Sequence, residues 1–243
     1  MIHRFDSLGS TNDQAQEAQY THGDIIVAER QSAGRGQRGN KWLSGEGLNL
    51  TLSAVVCPSA LEARNQFLVS QATALAICDM LRLYGLDARI KWTNDIYIGD
   101  RKIVGILIEN KVSGALLVRS IVGIGLNVNQ REFDPSLPNP TSMALEAKAI
   151  FDRDEVLDRL AEALASRFKQ IESGEGEVVR GEYHSLMYRC GEAHQFKLPS
   201  GELRMGTIEG VASSGELKIA WSDGARASYM FGAIDFVIEG RKR

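Results

Sequence analysis

Cysteine is scarce in this chain and poorly placed for cross-linking. Cys57, Cys78 and Cys190 are the only three. Their odd number and the lack of any C-x-x-C spacing exclude a disulfide framework and a thiolate zinc site. Cys57 follows an apolar run and Cys78 lies inside one, so both read as small buried hydrophobes. No apolar run approaches the ~20 residues that span a bilayer. The N-terminal Met1–Asp6 lacks the apolar core of a secretory signal, so a reducing cytoplasm is the expected compartment. G-x-x-x-x-G-K-[ST] is absent, which excludes a P-loop. His3, His22, His184 and His194 are scattered, match no triad or nucleophile motif, and suggest no metal cage, so no residue is expected to ligate a metal. An excess of positive charge is missing as well. The formal net charge is -3 and the pI about 5.9, which argues against bulk nucleic acid as the main partner.

What is present is ordinary for a soluble globular protein: 44% hydrophobic and 24% charged residues. The 243 residues suffice for one large domain, or a large and a small one. "SLGSTNDQAQEAQY" reads as a turn and a helix, with Ser10 or Thr11 as N-cap and Asp13 placed much as in a capping box. "DIIVAERQ" and "GLNLTLSAVV" read as strands on either side of a glycine loop. A helical pattern runs from about Leu61 to Tyr84, with Gly85 as its stop. Four strand-like runs follow, broken at Thr93-Asn94, Gly99-Asp100 and Ser113-Gly114. Gly99-Asp100 suits a tight hairpin. "FDPSLPNPTS" holds three of the five prolines and reads as a surface loop. A helix is expected over about Asp154 to Glu172, and another to about Met187. Beyond Cys190, short alternating segments with Ser-Gly and Asp-Gly turns predict a small β-barrel or meander. The expected division is residues 1–187 and 188–243, an α+β unit followed by an all-β one.

Four polar clusters each interrupt or end a strand. The first is Ser10-Thr11-Asn12. The second is Gln31 with Gly34 to Trp42, where Gly-Arg-Gly-Gln-Arg-Gly superficially resembles a dinucleotide loop. That fingerprint needs strand, loop, then helix, and here the loop joins two strands. Glycines let backbone N–H groups approach an anion, Arg35 and Arg38 offer bidentate donors, and Trp42 offers a face for a purine or a cation. A nucleotide-like ligand and a solvated basic hairpin are equally compatible with this loop alone. The third is Lys91 to Asp95. Asn94-Asp95 reads as a plain turn, or as a polar ligand contact beside a carboxylate that orients a lysine or metal. The fourth is Lys102 to Ile106. A lysine at a strand start is ordinarily solvated, but Gly105 inside an apolar strand implies close approach of something to the backbone. A fifth, Gly123 to Asn127, ends a strand and reads as a turn former or a ligand contact.

In the order "GSTN", "ERQSAGRGQRGNKW", "NLTLS", "KWTNDIYI…DRKIVGILIE", "VGIGLNVN", the clusters resemble biotin protein ligases over essentially the whole chain. The resemblance implies a catalytic fold like that of class II aminoacyl-tRNA synthetases, a mixed sheet flanked by helices, with a small C-terminal SH3-like β-barrel. It implies that biotin and Mg-ATP form biotinyl-5'-AMP, and that the acyl group passes to a lysine on the biotin carrier domain of a carboxylase. The chain starts close to the first motif, so the short form without an N-terminal DNA-binding domain is expected. No membrane partner is expected, and a homodimer through edge strands of the main sheet is compatible with the pattern.

The same resemblance assigns positions. Ser10, Thr11, Asn12 and Gln31 fall at contacts to biotin, with the ureido ring matched by Ser10, Thr11 and Gln31. Gly34, Arg35 and Gly36 fall in the loop around the carboxylate and phosphate, with Gln37 and Arg38 beside them. Lys102 matches the family's essential lysine, bridging the biotin carboxylate and α-phosphate. Gly105 and Ile106 would lie under biotin. Trp42, Asn94 and Asn127 match adenylate contacts, and Asp95 would orient or deprotonate the acceptor lysine. Many members carry arginine where this chain has Gln37 and Asn40, so Arg38 and Lys41 are expected to compensate. A lipoate ligase of the same fold would carry an Arg-Arg-x-Gly-Gly-Gly signature, which is missing. A non-catalytic binding module would lack polar residues such as Lys102, Arg35 and Asn94, all of which are present.

Overall fold

A computed structural model describes residues 1–238. Seven strands form one mixed sheet: β1 (Ile2–Leu8), β2 (Ile25–Gln31), β3 (Leu50–Val56), β4 (Arg89–Lys91), β5 (Asp95–Ile98), β6 (Arg101–Ser113) and β7 (Leu116–Leu126). Their order is β1-β2-β3-β7-β6-β5-β4. Only β1 and β2 are parallel; the other pairs are antiparallel. β3 is buried along its whole length, which explains its near-continuous apolar run: both faces of the central sheet are covered. On one side lie α2 (Phe67–Leu83) and α4 (Arg153–Glu172), with α5 (Gly176–Ser185) packed on both. On the other side α1 (Thr11–Ala15) packs over β2, β3 and β7. There a small cluster of Ala15, Tyr20, Ile26, Val55 and Ile121 closes the core.

Local signals account for most boundaries. Gly85, at φ +73°, follows the end of α2 in the left-handed conformation that glycine accepts without strain. Asp152 caps α4, its carboxylate accepting from the Asp154 and Glu155 N–H groups. The Gly99-Asp100 turn joins β5 to β6 as its sequence predicts. Three features differ from expectation. β1 pairs with β2 although the N-terminal residues gave no strong strand pattern; Ile2–Leu8 is an edge strand with no buried residue. The first helix stops after five residues. Ser10 stands at its N-cap without a side-chain bond; Asp13 points elsewhere, as described below. The proline segment is not wholly a surface loop. Its end is drawn inside, with Thr141 and Ser142 fully buried beside the short α3 (Met143–Ala147).

Five further strands, β8 (Ala193–Lys197), β9 (Leu203–Val211), β10 (Leu217–Trp221), β11 (Arg226–Tyr229) and β12 (Asp235–Phe236), form a second, antiparallel sheet. Its order is β11-β10-β9-β8-β12. The two sheets share one apolar core, in which Phe196, Ile208 and Phe236 join the same cluster as Leu75 and Ile90. Trp92 of the first unit donates its indole N–H to the Gly215 carbonyl of the second at 2.9 Å. Residues 239–243, the last of the expected second unit, lie outside the described residues.

Candidate active site

A cleft of about 670 Å³ opens where the main sheet meets the second one. Of the positions that the resemblance assigns to biotin, adenylate or catalysis, all but Gly34 and Asn94 line it. Those two support it from behind. A Cβ on Gly34 would lie 2.8 Å from the Trp42 carbonyl oxygen, so the loop can fold back only over a glycine. Asn94 exchanges bonds with Ile106, its Nδ2 donating to the Ile106 carbonyl and its own carbonyl accepting from the Ile106 N–H, both at 3.1 Å. It therefore locks the start of β5 to β6. Arg35, Arg38, Lys41, Lys91 and Lys102 face the cleft against Asp95 and Asp235. A chain of net charge -3 thus presents a locally cationic cavity, suited to an anionic ligand.

One end of the cleft is a polar shelf built on α1 and β3. Gln31 Oε1 accepts from the Thr11 N–H at 2.7 Å, which leaves Gln31 Nε2 facing the loop at Gly34. Ser53, fully buried, lies 2.8 Å from Thr11 Oγ1 and 2.6 Å from Asn12 Oδ1. Asn12 Nδ2 donates to Glu109 Oε2 at 2.7 Å. Ser10, Thr11 and Asn12 are all buried. The shelf offers both donors and acceptors within an otherwise apolar wall that includes Leu52 and Ile124, which fits a small neutral polar ring.

The floor is glycine. Gly105 and Gly125 are opposite partners on β6 and β7, and the Trp42 indole lies flat upon them. A Cβ on Gly125 would stand 2.1 Å from Trp42 Cε2, and one on Gly105 would stand 2.8 Å from Cζ3. Gly123, two register positions along, leaves space for Asn12 in the same way: a Cβ there would stand 2.3 Å from Asn12 Oδ1. The glycine inside the apolar strand β6 is therefore accounted for by close packing of an aromatic ring.

Residues Gly34 to Trp42 form a small flap. Trp42 N–H donates to the Gly34 carbonyl and Gly36 N–H to the Asn40 carbonyl. Each side chain ties it to a different neighbour. Arg35 reaches Asp13 Oδ1 at 2.7 Å and Glu109 Oε2 at 2.9 Å. Gln37 Nε2 donates to the Ile106 carbonyl at 3.3 Å. Arg38, in left-handed backbone at φ 55°, donates to the Phe231 carbonyl at 3.2 Å and lies 5.0 Å from the centroid of that ring. Its guanidinium fills the space where a Cβ of Gly232 would be. The guanidinium thus grips the second unit at the edge of the cleft.

Lys102 enters from the start of β6. Its ammonium lies 2.7 Å from Asp95 Oδ1, with both side chains about one-third exposed, and 5.9 Å from the Trp42 ring centroid. Its backbone is fixed by the proline segment: Lys102 N–H donates to the Asn139 carbonyl and Thr141 N–H to the Lys102 carbonyl. Asn127 holds the same segment, donating from Nδ2 to the Thr141 carbonyl at 2.9 Å. Sequence reading missed several contributors. Ser53 sits in the quoted "NLTLS", where a serine amid apolar residues on a central strand was the available signal. Glu109 stands in "GILIE", a carboxylate in a strand. Phe231, Gly232 and Phe236 line the cleft from the second unit, and no local pattern marks them.

A family model, the biotin/lipoate A/B protein ligase family, matches residues 4–127. The biotin–[acetyl-CoA-carboxylase] ligase of Paracoccus denitrificans is 33% identical over 201 residues, covering 79% of this chain and 82% of that protein. The bifunctional ligase/repressor BirA of Escherichia coli K12 is 33% identical over 156 residues, or 62% of this chain; the chain spans 47% of the length of that relative. Among solved structures, a biotin protein ligase from Aquifex aeolicus in complex with biotin and ATP superposes with a TM-score of 0.81 at 27% identity, over 99% of both chains. One from Leishmania major in complex with biotinyl-5-AMP gives a TM-score of 0.63 at 26% identity, over 94% of this chain and 98% of that one.

Proposed function

This chain belongs to the biotin/lipoate A/B protein ligase family, and from that premise we propose that it is a biotin–[acetyl-CoA-carboxylase] ligase. Its substrates are biotin, ATP accompanied by Mg²⁺, and a lysine of a biotin carrier domain. The observation that carries this reading is the joining, in one cleft, of a neutral polar shelf, a glycine floor under Trp42, and the Lys102 ammonium between them.

In the first half-reaction a biotin carboxylate oxygen attacks the α-phosphorus, and the bond to the bridging oxygen breaks. Pyrophosphate leaves with the electron pair. The shelf of Ser10, Thr11, Asn12 and Gln31 holds the ureido ring, which points the carboxylate toward Lys102. The flap residues Gly34, Arg35, Gly36 and Gln37 enclose the reacting groups. As a compact cation, Lys102 stabilises negative charge that grows on the phosphoryl and carboxylate oxygens in the transition state. Trp42 supplies a flat face for adenine, with Asn94 and Asn127 fixing its surroundings, and Gly105 and Ile106 lie beneath biotin. In the second half-reaction an unprotonated lysine amine attacks the acyl carbon, the C–O bond to AMP breaks, and AMP leaves with that pair. Asp95, which pairs with the Lys102 ammonium, takes the amine proton in this reading.

The decisive test is ATP–pyrophosphate exchange that depends on biotin and not on lipoate, followed by transfer of labelled biotin to a purified carrier domain. Lys102→Ala should lower kcat/KM for transfer by about 100- to 1,000-fold while the thermal midpoint stays put. Transfer at the wild-type rate would remove Lys102 from the mechanism. Lipoate-dependent exchange would favour the sister activity of the family.

Residues 1–187 serve as the catalytic unit and 188–243 as a second, SH3-like unit in this reading, the antiparallel order of β8 to β12 being its support. Self-association through β6 also fits. Beyond Gly105 no described strand pairs with β6 on its β5 side, and an unpaired strand edge invites a second copy. A sedimentation coefficient of a monomer at micromolar concentration would contradict it.

A further inference from the structure

Glu109 lies on β6 four residues past Gly105, and nothing in the scheme above uses it. Two separate parts of the site nevertheless converge on one of its oxygens. Asn12 Nδ2 donates to Glu109 Oε2 at 2.7 Å, and Arg35 Nη2 donates to the same oxygen at 2.9 Å. Arg35 also reaches Asp13 Oδ1 at 2.7 Å, so the flap arginine would stay tethered to α1 without Glu109. Among the described residues the one other acceptor for the Asn12 amide is the Leu107 carbonyl, at a longer 3.3 Å.

The directions of the bonds follow from what each group can do. Ser53 has one hydroxyl proton and two neighbours, Thr11 Oγ1 and Asn12 Oδ1. An amide oxygen only accepts, so that proton goes to Asn12. The Thr11 hydroxyl is then the donor toward Ser53. Its other neighbour, Gln31 Oε1, is farther at 3.2 Å and already accepts the Thr11 N–H at 2.7 Å. The chain thus runs one way, Thr11 to Ser53 to Asn12 to Glu109, and ends on an ionised carboxylate, a group that can only accept. Turning the Asn12 amide over is barred at the Glu109 end, where its oxygen would face the carboxylate, two acceptors against each other; Ser53 could accept from the turned NH₂.

We infer that Glu109 is a positioning residue for the biotin subsite: its carboxylate fixes the direction of the Thr11–Ser53–Asn12 chain and clips the flap arginine to the same shelf. This rests on the ligase reading. Its consequence is that the donors and acceptors seen by a neutral ring are set from outside the pocket. An amide at position 109 has nearly the same shape but can turn its NH₂ toward Asn12. Asn12 would then rotate, and Ser53 would meet an amide nitrogen.

The test uses the full chain and biotin-dependent ATP–pyrophosphate exchange, measured for Glu109→Gln, Asn12→Ala and the double variant. Glu109→Gln is expected to raise KM for biotin at least fivefold. KM for ATP should stay within twofold, because Asp13 still holds Arg35. The double variant should be no worse than Asn12→Ala within twofold, since both changes break one chain. Direct biotin binding by calorimetry should weaken in parallel. A Glu109→Gln enzyme with wild-type KM for biotin overturns the inference, as does one in which both KM values rise alike, or a double variant showing the product of the single effects. A wild-type chain without biotin-dependent exchange overturns the ligase reading itself and this inference with it.

Discussion

A residue's worth in this protein is often set by what it leaves out. Gly125 contributes nothing but vacancy, yet a methyl group there would stand 2.1 Å from the Trp42 indole. Gly125→Ala is therefore expected to displace Trp42 from the floor. Overpacking costs about 1–3 kcal/mol, less if the ring swings away into the cleft. KM for ATP should rise at least tenfold with a small fall in thermal midpoint, both read from exchange kinetics and calorimetry. An unchanged KM would mean that Trp42 does not set the nucleotide site. This residue shows how much the sequence could say. A glycine inside an apolar strand announces close approach, and the Gly105 signal was legible for that reason. What approaches was not legible, because Trp42 is 63 positions earlier in the chain and reaches the floor only through the flap. Ser53 and Glu109 were silent for a related reason: a polar residue in a strand shows its purpose only when its cross-sheet partners are known.

At the scale of elements, β1 is the piece the sequence concealed. It has no buried residue, so it lacks the alternation that marks a strand, and its place is fixed by pairing with β2 and by charge. Asp24, just before β2, is the anchor. The Thr21 backbone N–H donates to its carboxylate at 2.8 Å. His3 lies 3.0 Å and the N-terminal ammonium 3.3 Å from its other oxygen. These contacts, the Thr21 N–H foremost, hold its carboxyl far below the ordinary carboxylate range against the opposing effect of burial. The folded state thus binds this proton less readily than the unfolded chain. The stabilisation is complete above the ordinary aspartate value of about 3.9 and is lost as pH falls on through the depressed folded value. Asp24→Asn should lower the thermal midpoint clearly at pH 7, and the gap from wild type should close as pH falls below about 3.9. A gap independent of pH would show that shape, not charge, holds the β1–β2 corner. β2, β3, α2 and α4 were all legible because each carries its own run of buried apolar residues. The proline segment was not. Its buried end is held by Lys102 and Asn127, both distant in sequence.

For the molecule as a whole, the two sheets do not make two independent bodies. Core residues of both belong to one cluster, and Trp92 and Phe67 reach across to Gly215. Unfolding is therefore expected as a single calorimetric transition with matching van't Hoff and measured enthalpies. Two resolved peaks would show that the second unit is stable by itself. The composition could bound this only as one large domain or a large and a small one, since a shared core is a property of contacts. The same junction has a consequence in time. The shelf residues Ser10 to Asn12 leave the ribosome more than 200 residues before the opposite wall of the cleft, Phe231 to Phe236. During synthesis the motifs that carry the chemistry exist long before the cavity does. A nascent chain that stops short of Phe231 lacks that wall of the cleft. The cleft can be complete only once translation has passed the far wall.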